Sequence, residues 1–209
     1  MKKYPVLIML FCFIALFKAH AQLGFQVGGV ATTDYAFVTY DSLEKVSGGI
    51  GFSFGVFYKH WLTDHLSVQP ALNFINKRWW EELDDGLAIY RTKVSVNYAE
   101  IPVQLVFTSH KTRGFFAGAG PSVLIGLSGR RKVTENGNVI EDDKIEIGSV
   151  QAPEKRMTLA LNAIAGYVFK RTSIGLNYTK GITNQPVGDA DHGNVSHLTL
   201  RFGILFGQQ

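Results

Sequence analysis

The chain has 209 residues, of which 46 % are hydrophobic and 18 % are charged, and its formal net charge is +4. Three of its lysines, Lys2, Lys3 and Lys18, precede residue 22, so the remainder of the chain is close to neutral. The sequence has no basic stripe with interleaved aromatic residues, which argues against nucleic acid as a partner. Residues 22–209 have a length and an even composition that suit one domain.

Residues 1–21 have the pattern of a cleaved signal peptide. Two lysines are followed by an apolar stretch from Tyr4 to Phe17 and then by Ala-His-Ala at 19–21, an A-x-A cleavage motif. A membrane-spanning helix would need about 20 apolar residues, which is more than this stretch provides. The single cysteine, Cys12, lies in the same segment. Residues 22–209 are therefore expected to form an exported domain without disulfides.

After this segment, apolar residues alternate with small or polar residues in runs of about ten. In "GFSFGV", residues 51–56, every second residue is large and apolar, and the residues between are Gly or Ser. This period of two is typical of half-exposed strands. Eight such runs span residues 23–30, 49–61, 66–74, 93–107, 115–129, 158–170, 174–178 and 197–206.

The connections between these runs alternate in length, which is typical of an outer-membrane barrel with an even number of strands. Short turns lie near 63–65, 109–114 and 170–172, and long polar segments at 33–48, 76–92, 129–156 and 181–196. We therefore predict an all-β fold, an eight-stranded antiparallel up-and-down transmembrane β-barrel with short periplasmic turns and four longer extracellular loops.

Two of the long segments contain hairpin signals of their own. "LDDGLA" (83–88) and "TENGNV" (134–139) place Asp-Gly and Asn-Gly between extended runs. We expect the third and fourth predicted strands, and the fifth and sixth, to project beyond the membrane as ribbons.

The chemistry of the two strand faces favours a membrane barrel over a soluble, ligand-carrying barrel. The apolar faces contain no charged residue, and the opposite faces are rich in Gly, Ser, Asn, Gln and Thr. A soluble barrel would carry Lys and Glu on its outer face instead. A charge that faces lipid at mid-depth costs about 2–4 kcal/mol, which explains the apolar faces. Small and polar side chains fit the narrow interior of eight strands.

The segment "NYAEIPVQLVF", residues 97–107, places Glu100 and Pro102 in an apolar run. The apolar residues before Glu100 occupy even positions and those after it occupy odd positions. We interpret this slip as a β-bulge at Ala99–Glu100 that turns Glu100 into the lumen, with Pro102 beside it. Arg201, also on a lumenal face, is the expected ion-pair partner of Glu100, because a buried carboxylate without a cation is costly. Alternatively, lumenal amides or water satisfy each group separately.

Aromatic residues are expected at both ends of the barrel. Tyr58 and Trp61 lie near the short turns, and Trp79, Trp80 and Tyr90 lie near the long loops. The favoured interpretation is two aromatic girdles at the membrane interfaces. The alternative is a surface ligand platform at Trp79–Trp80.

Charged loop segments are the remaining candidates for a site. The acidic runs 81–85 and 141–143 lack the spacing of a defined calcium loop, so we expect solvated loop charges. The nearby cations are expected to meet lipopolysaccharide phosphates; they are Lys77, Arg78, Arg130, Arg131 and Lys132. The sequence has no phosphate loop, zinc motif or cofactor box, so we expect no cofactor and no metal.

Four segments resemble a known family. "NYAEIPVQLVF" resembles the Y-x-E-I-P strand of the Bacteroidota-type outer-membrane β-barrel proteins, which include proteins similar to the secretion component PorT. "LSVQPALNF" (66–74), "FFAGAGPSVLIG" (115–126) and "IGLNYTKGITN" (174–184) are similar to strands 3, 5 and 7 of that family. The resemblance covers residues 22–209 and implies a barrel in the cell outer membrane.

The chain departs from the family pattern at two places. It has Gly181-Ile182 where Gly-Leu is usual, and three residues follow Phe206, the candidate terminal aromatic residue. The resemblance implies that the barrel-assembly machinery reads such a terminal residue during biogenesis.

Three functional hypotheses follow. The first is a small outer-membrane barrel with no open pore, which has a structural or interaction role through its extracellular loops and contacts lipid, lipopolysaccharide or an unknown protein. The second is an accessory barrel associated with transport or secretion. The third and least favoured is a lipid-modifying enzyme, because Ser196 and His197 are adjacent in a strand and point to opposite faces. We therefore expect a protein that is not an enzyme.

Overall fold

The computed structural model describes residues 21–33, 44–84, 86–148, 156–183 and 196–206. The predicted signal peptide lies outside these ranges, except for Ala21. The described residues form ten strands: β1 (Ala21–Thr32), β2 (Glu44–Gly48), β3 (Ile50–Trp61), β4 (Leu66–Asp84), β5 (Ile89–Thr108), β6 (Arg113–Glu135), β7 (Asn138–Ile145), β8 (Met157–Phe169), β9 (Thr172–Gly181) and β10 (Ser196–Phe206).

Eight of these strands close into a ring. The order around the ring is β1, β3, β4, β5, β6, β8, β9 and β10, and β10 pairs with β1. Each pairing is antiparallel, from Leu23↔Phe206 at the closure to Leu66↔Phe107 between β4 and β5. This ring confirms the predicted eight-stranded barrel. Among the described residues, no helix has the length and apolar character to cross a membrane.

The side chains alternate between the outside of the ring and its lumen. Phe52, Phe54 and Val56 of β3 are exposed on the outer face, whereas Ser53 and Gly55 between them are buried. β8, β9 and β10 have the same alternation, with a large apolar residue at most exposed positions. The predicted inward and outward faces of these strands are therefore confirmed.

Two ribbons project from one end of the ring, which we call the ribbon end. β4 and β5 have 19 and 20 residues, and their pairing continues to Asp84↔Ile89. β6 turns at Asn136 and Gly137, which have φ angles of 47° and 88°, and returns as β7. Positive φ at both positions is what an Asn-Gly hairpin turn requires. The opposite end, formed by residues 62–65, 109–112 and 170–171, is called the turn end.

The second ribbon differs from its prediction. The sixth predicted strand corresponds to β8, whose pairing with β6 begins at Ile125↔Met157. The upper part of β6 pairs with β7 instead, from Gly129↔Ile145 to Glu135↔Asn138. The Asn-Gly turn is local, so it folds β6 back on its own continuation.

The predicted bulge at Ala99–Glu100 is wrong. β5 keeps one register against β4 through Asn73↔Glu100 and Phe74↔Ala99. The extra residue is Leu127 of β6, because Asn97 pairs with Ser128 while Tyr98 pairs with Gly126. Three apolar residues of β5 therefore share the lumenal face with Glu100 and are buried: Val94, Val96 and Tyr98.

The prolines of this region lie beside interruptions in the ladders. The β4–β5 pairing passes from Pro70↔Val103 to Asn73↔Glu100, which leaves out the position of Pro102. The β5–β6 pairing passes from Pro102↔Ser122 to Leu105↔Ala119, which leaves out the position of Pro121. Because proline has no N–H to donate, interruptions at these positions allow it within long strands.

The outward position of Phe54 gives a direct test of the face assignment. Its ring stacks on that of Phe74 at a centroid distance of 5.0 Å on the outer face. Phe54→Arg should lower the stability of the membrane-inserted barrel by about 2–4 kcal/mol, whereas Phe54→Leu should assemble normally. The folded fraction can be measured by the gel mobility of unheated and heated samples. Equal assembly of the two variants would contradict the assignment.

Candidate functional site

The lumen at the ribbon end is filled by apolar side chains. The buried cluster consists of Val30, Ile75, Trp79, Val94, Val96, Tyr98, Leu124 and Ala160. These residues come from five strands of the ring, β1, β4, β5, β6 and β8. We call this set the apolar plug. The sequence predicted small and polar side chains in the lumen, whereas the side chains of the apolar plug are mostly large and apolar.

Below the apolar plug, Glu100 of β5 is completely buried, with 0 % of its surface exposed. Its carboxylate accepts hydrogen bonds from Thr179 Oγ1 at 2.7 Å and Asn73 Nδ2 at 3.0 Å. Asn162 Nδ2 and Arg201 Nη2 donate to it at 3.2 Å each. Donors from four other strands therefore converge on one carboxylate, and they supply the hydrogen bonds that a buried charge needs.

Amide side chains extend this polar layer across the lumen. Gln26 of β1 donates to Asn73, and Gln104 of β5 donates to Asn162. Gln104 also donates to Asn177 Oδ1 at 3.2 Å. In a low-dielectric interior, connected hydrogen bonds polarise and strengthen one another. The layer therefore ties β1, β4, β5, β8 and β9 together through side chains, in addition to the backbone ladders.

The structure brings Glu100 and Arg201 together, as the sequence analysis expected. Arg201 is paired in register with Gly28 of β1 and Gly175 of β9, so neither neighbour carries a side chain at its level. This space lets the guanidinium group reach across the lumen to Glu100, where the N–O distance is 3.2 Å. Both routes that were considered for satisfying Glu100, the ion pair and the lumenal amides, are present together.

Other basic groups are buried near this layer. His197 Nε2 lies 3.8 Å from Glu100 Oε1, and Lys77 Nζ lies 5.7 Å from the ring centroid of Trp79. Lys59, toward the turn end, donates to Thr108 Oγ1 at 3.4 Å. In the part of the chain that the structure describes, Glu100 is the only buried carboxylate. The interior therefore has more basic than acidic groups.

A small cavity lies between this layer and the turn end. It measures about 30 Å³, and Gln26, Lys59 and Arg201 are among its lining residues. This volume suits about one water molecule. Small molecules of the size that porins conduct do not fit into it.

The five predicted girdle aromatics have different environments. Trp80 is 39 % exposed on the outer face, but Trp79 is only 4 % exposed and belongs to the apolar plug. The girdle position predicted for Trp79 is therefore wrong, because successive residues of a strand face opposite sides. Tyr90 donates to Glu135 Oε1 at 2.8 Å in the ribbons. At the turn end, Tyr58 and Trp61 are half-buried.

Charged residues outside the membrane-spanning segments form ion pairs between neighbouring strands or turns. Arg130 Nε and Nη2 donate to Asp142 at 2.6 and 2.8 Å, which lowers the pKa of the Asp142 carboxyl group and raises that of Arg130. At the turn end, a 2.6 Å hydrogen bond from Lys111 lowers the pKa of Asp64. Within the described ranges, no group of three His, Cys, Asp or Glu residues has the arrangement of a metal site.

Asn73 and Asn162 are residues of this site that the sequence did not single out. The side-chain amides of both residues donate hydrogen bonds to the carboxylate of Glu100. The signal that could have identified them is that they, like Glu100, are polar residues on the lumenal face of a strand. In a narrow lumen, inward side chains of distant strands lie within hydrogen-bond distance of one another.

A double-mutant cycle tests the coupling of Glu100 and Arg201. Either single change to Ala should lower the free energy of unfolding by about 3–5 kcal/mol, because it leaves a buried charge without its partner. The double change should cost less than the sum of the two single losses. Urea unfolding of the barrel in lipid vesicles measures each value.

Lys59→Met is the matched control for this cycle, because Lys59 is a buried cation that hydrogen-bonds Thr108 rather than Glu100. The decrease in the free energy of unfolding caused by Lys59→Met should add to the decrease caused by Glu100→Ala. Strict additivity of the Glu100 and Arg201 losses would show that these two residues do not interact.

Several solved outer-membrane proteins are similar to this chain at low identity. Ail of Yersinia pestis, solved with the heparin analogue sucrose octasulfate, has 14 % identity and a TM-score of 0.42, over 90 % of this chain and 100 % of that one. OprG of Pseudomonas aeruginosa has 9 % identity and a TM-score of 0.46, over 91 % and 99 %. Neisserial surface protein A has 12 % identity and a TM-score of 0.41, over 90 % and 96 %. No curated protein matches the chain.

A family model gives the assignment. The model for the outer membrane protein beta-barrel domain matches residues 16–208, which is nearly the whole chain. This match agrees with the closed ring of eight antiparallel strands and with its apolar outer face. The chain therefore belongs to the outer membrane protein beta-barrel domain family and is a small barrel protein of the outer membrane.

Proposed function

We propose that this protein is a closed, non-enzymatic barrel that anchors two ribbons on the extracellular side of the outer membrane for interaction with other molecules. The observation that carries the proposal is the filled lumen. The apolar plug and the Glu100 layer occupy successive levels of the ring, and the cavity below them measures about 30 Å³. A barrel filled in this way serves as a membrane anchor. The two projecting ribbons would then carry out the interaction with other molecules.

The tips of the ribbons support an interaction role. Leu87, in the turn between β4 and β5, is 94 % exposed, and Val139 and Ile140 of β7 are also exposed. These apolar side chains lie among charged residues, as at the Arg91–Glu82 pair. Apolar groups with a polar rim are typical of surfaces that bind another molecule.

A secretion-associated accessory role is the second candidate. It is supported by the Y-x-E-I-P strand at 98–102, which resembles that of PorT-related barrels. In this role the closed barrel would act beside a conducting partner. A lipid-modifying activity has less support, because His197 is buried inside the ring next to Glu100, on the face away from lipid.

The closed lumen can be tested by electrical recording. The purified barrel in a planar lipid bilayer should show no stepwise conductance above the leak of the protein-free bilayer, since buried side chains occupy its interior. A reconstituted porin in the same bilayer is the positive control. Regular, voltage-independent steps from the purified barrel would contradict the proposal.

The ribbon role can be tested by site-specific photo-crosslinking in intact cells. A photoreactive residue in place of Leu87 or Val139 should form a discrete crosslinked product, because both side chains are exposed at the ribbon tips. The same residue in place of Leu200, on the outer face of β10 within the ring, should crosslink to lipid only. A ladder of crosslinks that is identical at all three positions would contradict an interaction at the tips.

A further inference from the structure

The outer face of the ribbons begins with a row of polar side chains at the upper edge of the ring. Asn76 of β4 donates to Asn97 Oδ1 at 2.7 Å and to Ser95 Oγ at 3.0 Å. Asn97 of β5 donates to Ser128 Oγ of β6 at 2.9 Å, and Arg78 Nε donates to Asn76 Oδ1 at 2.7 Å. We call these five residues the amide row. It crosses three neighbouring strands and satisfies its own hydrogen bonds.

The amide row marks a change of chemistry along the strands. On the ring side, the outward residues are apolar, such as Leu72 of β4, Ile101 of β5 and Val123 of β6. On the ribbon side, outward positions carry Lys93 of β5 and Lys132 of β6. Apolar residues that face lipid end at the level of the headgroups. The cations above the row therefore lie at the depth where lipid headgroups carry their phosphates.

These cations line one groove. It measures about 560 Å³, and its charged lining consists of Arg78, Lys93, Arg130, Lys132 and Asp142. Four cations thus face one carboxylate, which already accepts both hydrogen bonds from Arg130. We call this feature the basic groove.

Two of these cations are direct neighbours. Lys93 and Lys132 are cross-strand partners in the β5–β6 ladder. Like charges at directly opposite positions destabilise a sheet. On the other side of Lys93, its partner in β4 is Trp80, which carries no charge. On the other side of Lys132, its partner in β7 is Asp142, the carboxylate that Arg130 also binds. Lys93 therefore has no acidic cross-strand partner in these ladders, and a bound anion would offset its repulsion by Lys132.

The basic groove also has an apolar side. Trp80 and Ile50 line it, and Ile50 is 79 % exposed. A ligand that is anionic at one end and apolar at the other matches this combination. A soluble anion would leave Trp80 and Ile50 in contact with water.

We propose that the basic groove binds the phosphate group of a phosphorylated glycolipid of the outer leaflet. Arg78 supplies a planar set of donors for phosphate oxygens, and Lys93 and Lys132 supply two ammonium charges. Trp80 and Ile50 pack against the sugar or acyl portion of the lipid. This inference goes beyond the proposed function, because it concerns the base of the ribbons rather than their tips.

The set differs from the residues that the sequence suggested for phosphate contact. Lys77 is buried in the lumen, and Arg131 is paired with Val94, whose side chain faces inward. Lys93 was not in the predicted set, because its relevance depends on its register with Lys132.

The experiment compares bisphosphorylated lipid A with dephosphorylated lipid A of the same acyl composition, by equilibrium binding to the full barrel in detergent micelles. The wild type should bind the phosphorylated form more tightly. Lys93→Gln with Lys132→Gln should bind it roughly thirtyfold more weakly, because each basic side chain near anionic lipid contributes about a fivefold factor. Lys93→Arg with Lys132→Arg should retain binding.

Lys180→Gln is the matched control, because Lys180 is an exposed lysine near the ribbon end of β9, away from the groove. It should bind the phosphorylated lipid like the wild type. The Gln double variant should keep its heat-modifiable gel mobility, since it removes a like-charge pair from an exposed face.

Three results would overturn the inference: equal affinity for the two lipids, unchanged affinity of the Gln double variant, or equally tight binding of inorganic phosphate alone, which would assign the groove to soluble anions. Replacement of residues 82–91 and 133–141 by Asn-Gly turns removes both ribbon tips but keeps Lys93 and Lys132. This shortened barrel should still bind the lipid, so failure of the tip interaction and failure of the lipid site are distinguishable.

Discussion

The fold depends on closure of the strand ring. Within the lipid hydrocarbon, backbone N–H and C=O groups have no water to bond, so a sheet can cross the membrane only if it has no free edge. The β1–β10 ladder, from Leu23↔Phe206 to Thr32↔His197, removes that edge. Once the ring is closed, each strand residue faces either lipid or a narrow lumen. The outer face is then necessarily apolar, and the lumen has to be filled.

The lumen is filled by two chemistries in successive layers. The apolar plug needs only volume, whereas Glu100 needs donors from β4, β8, β9 and β10. A buried carboxylate among fixed donors adds less to stability than apolar packing of the same volume, but loss of one partner is costly. The polar layer therefore makes the arrangement of the ring specific, because a strand in a shifted register would leave Glu100 or Arg201 without a partner.

The ribbons repeat this inside–outside alternation beyond the ring. Their inner face continues the apolar plug through Trp79 and Val94, and their outer face carries the amide row and the basic groove. Leu127, the bulge residue of β6, lies beside the amide row, where the outer face changes from apolar to polar residues. A bulge adds one residue and turns the strand above it by one position. As a result, Arg130 and Lys132 lie on the outer face, while Val133 is buried.

The sequence by itself determined the parts of this protein that depend on contrast between neighbouring residues. Alternation of large apolar residues with Gly, Ser or Asn predicted the ring strands and their outer face. The dipeptide Asn136-Gly137 predicted the hairpin turn, because these two residue types themselves favour the positive φ angles that the turn requires. Only the tertiary structure decided where Trp79 points and where the bulge lies. Both depend on the apolar plug, which removes the polar–apolar contrast from the upper strands. Register also decided the neighbours, since Lys93 and Lys132, or Glu100 and Arg201, are far apart in the chain and meet only after the ring closes.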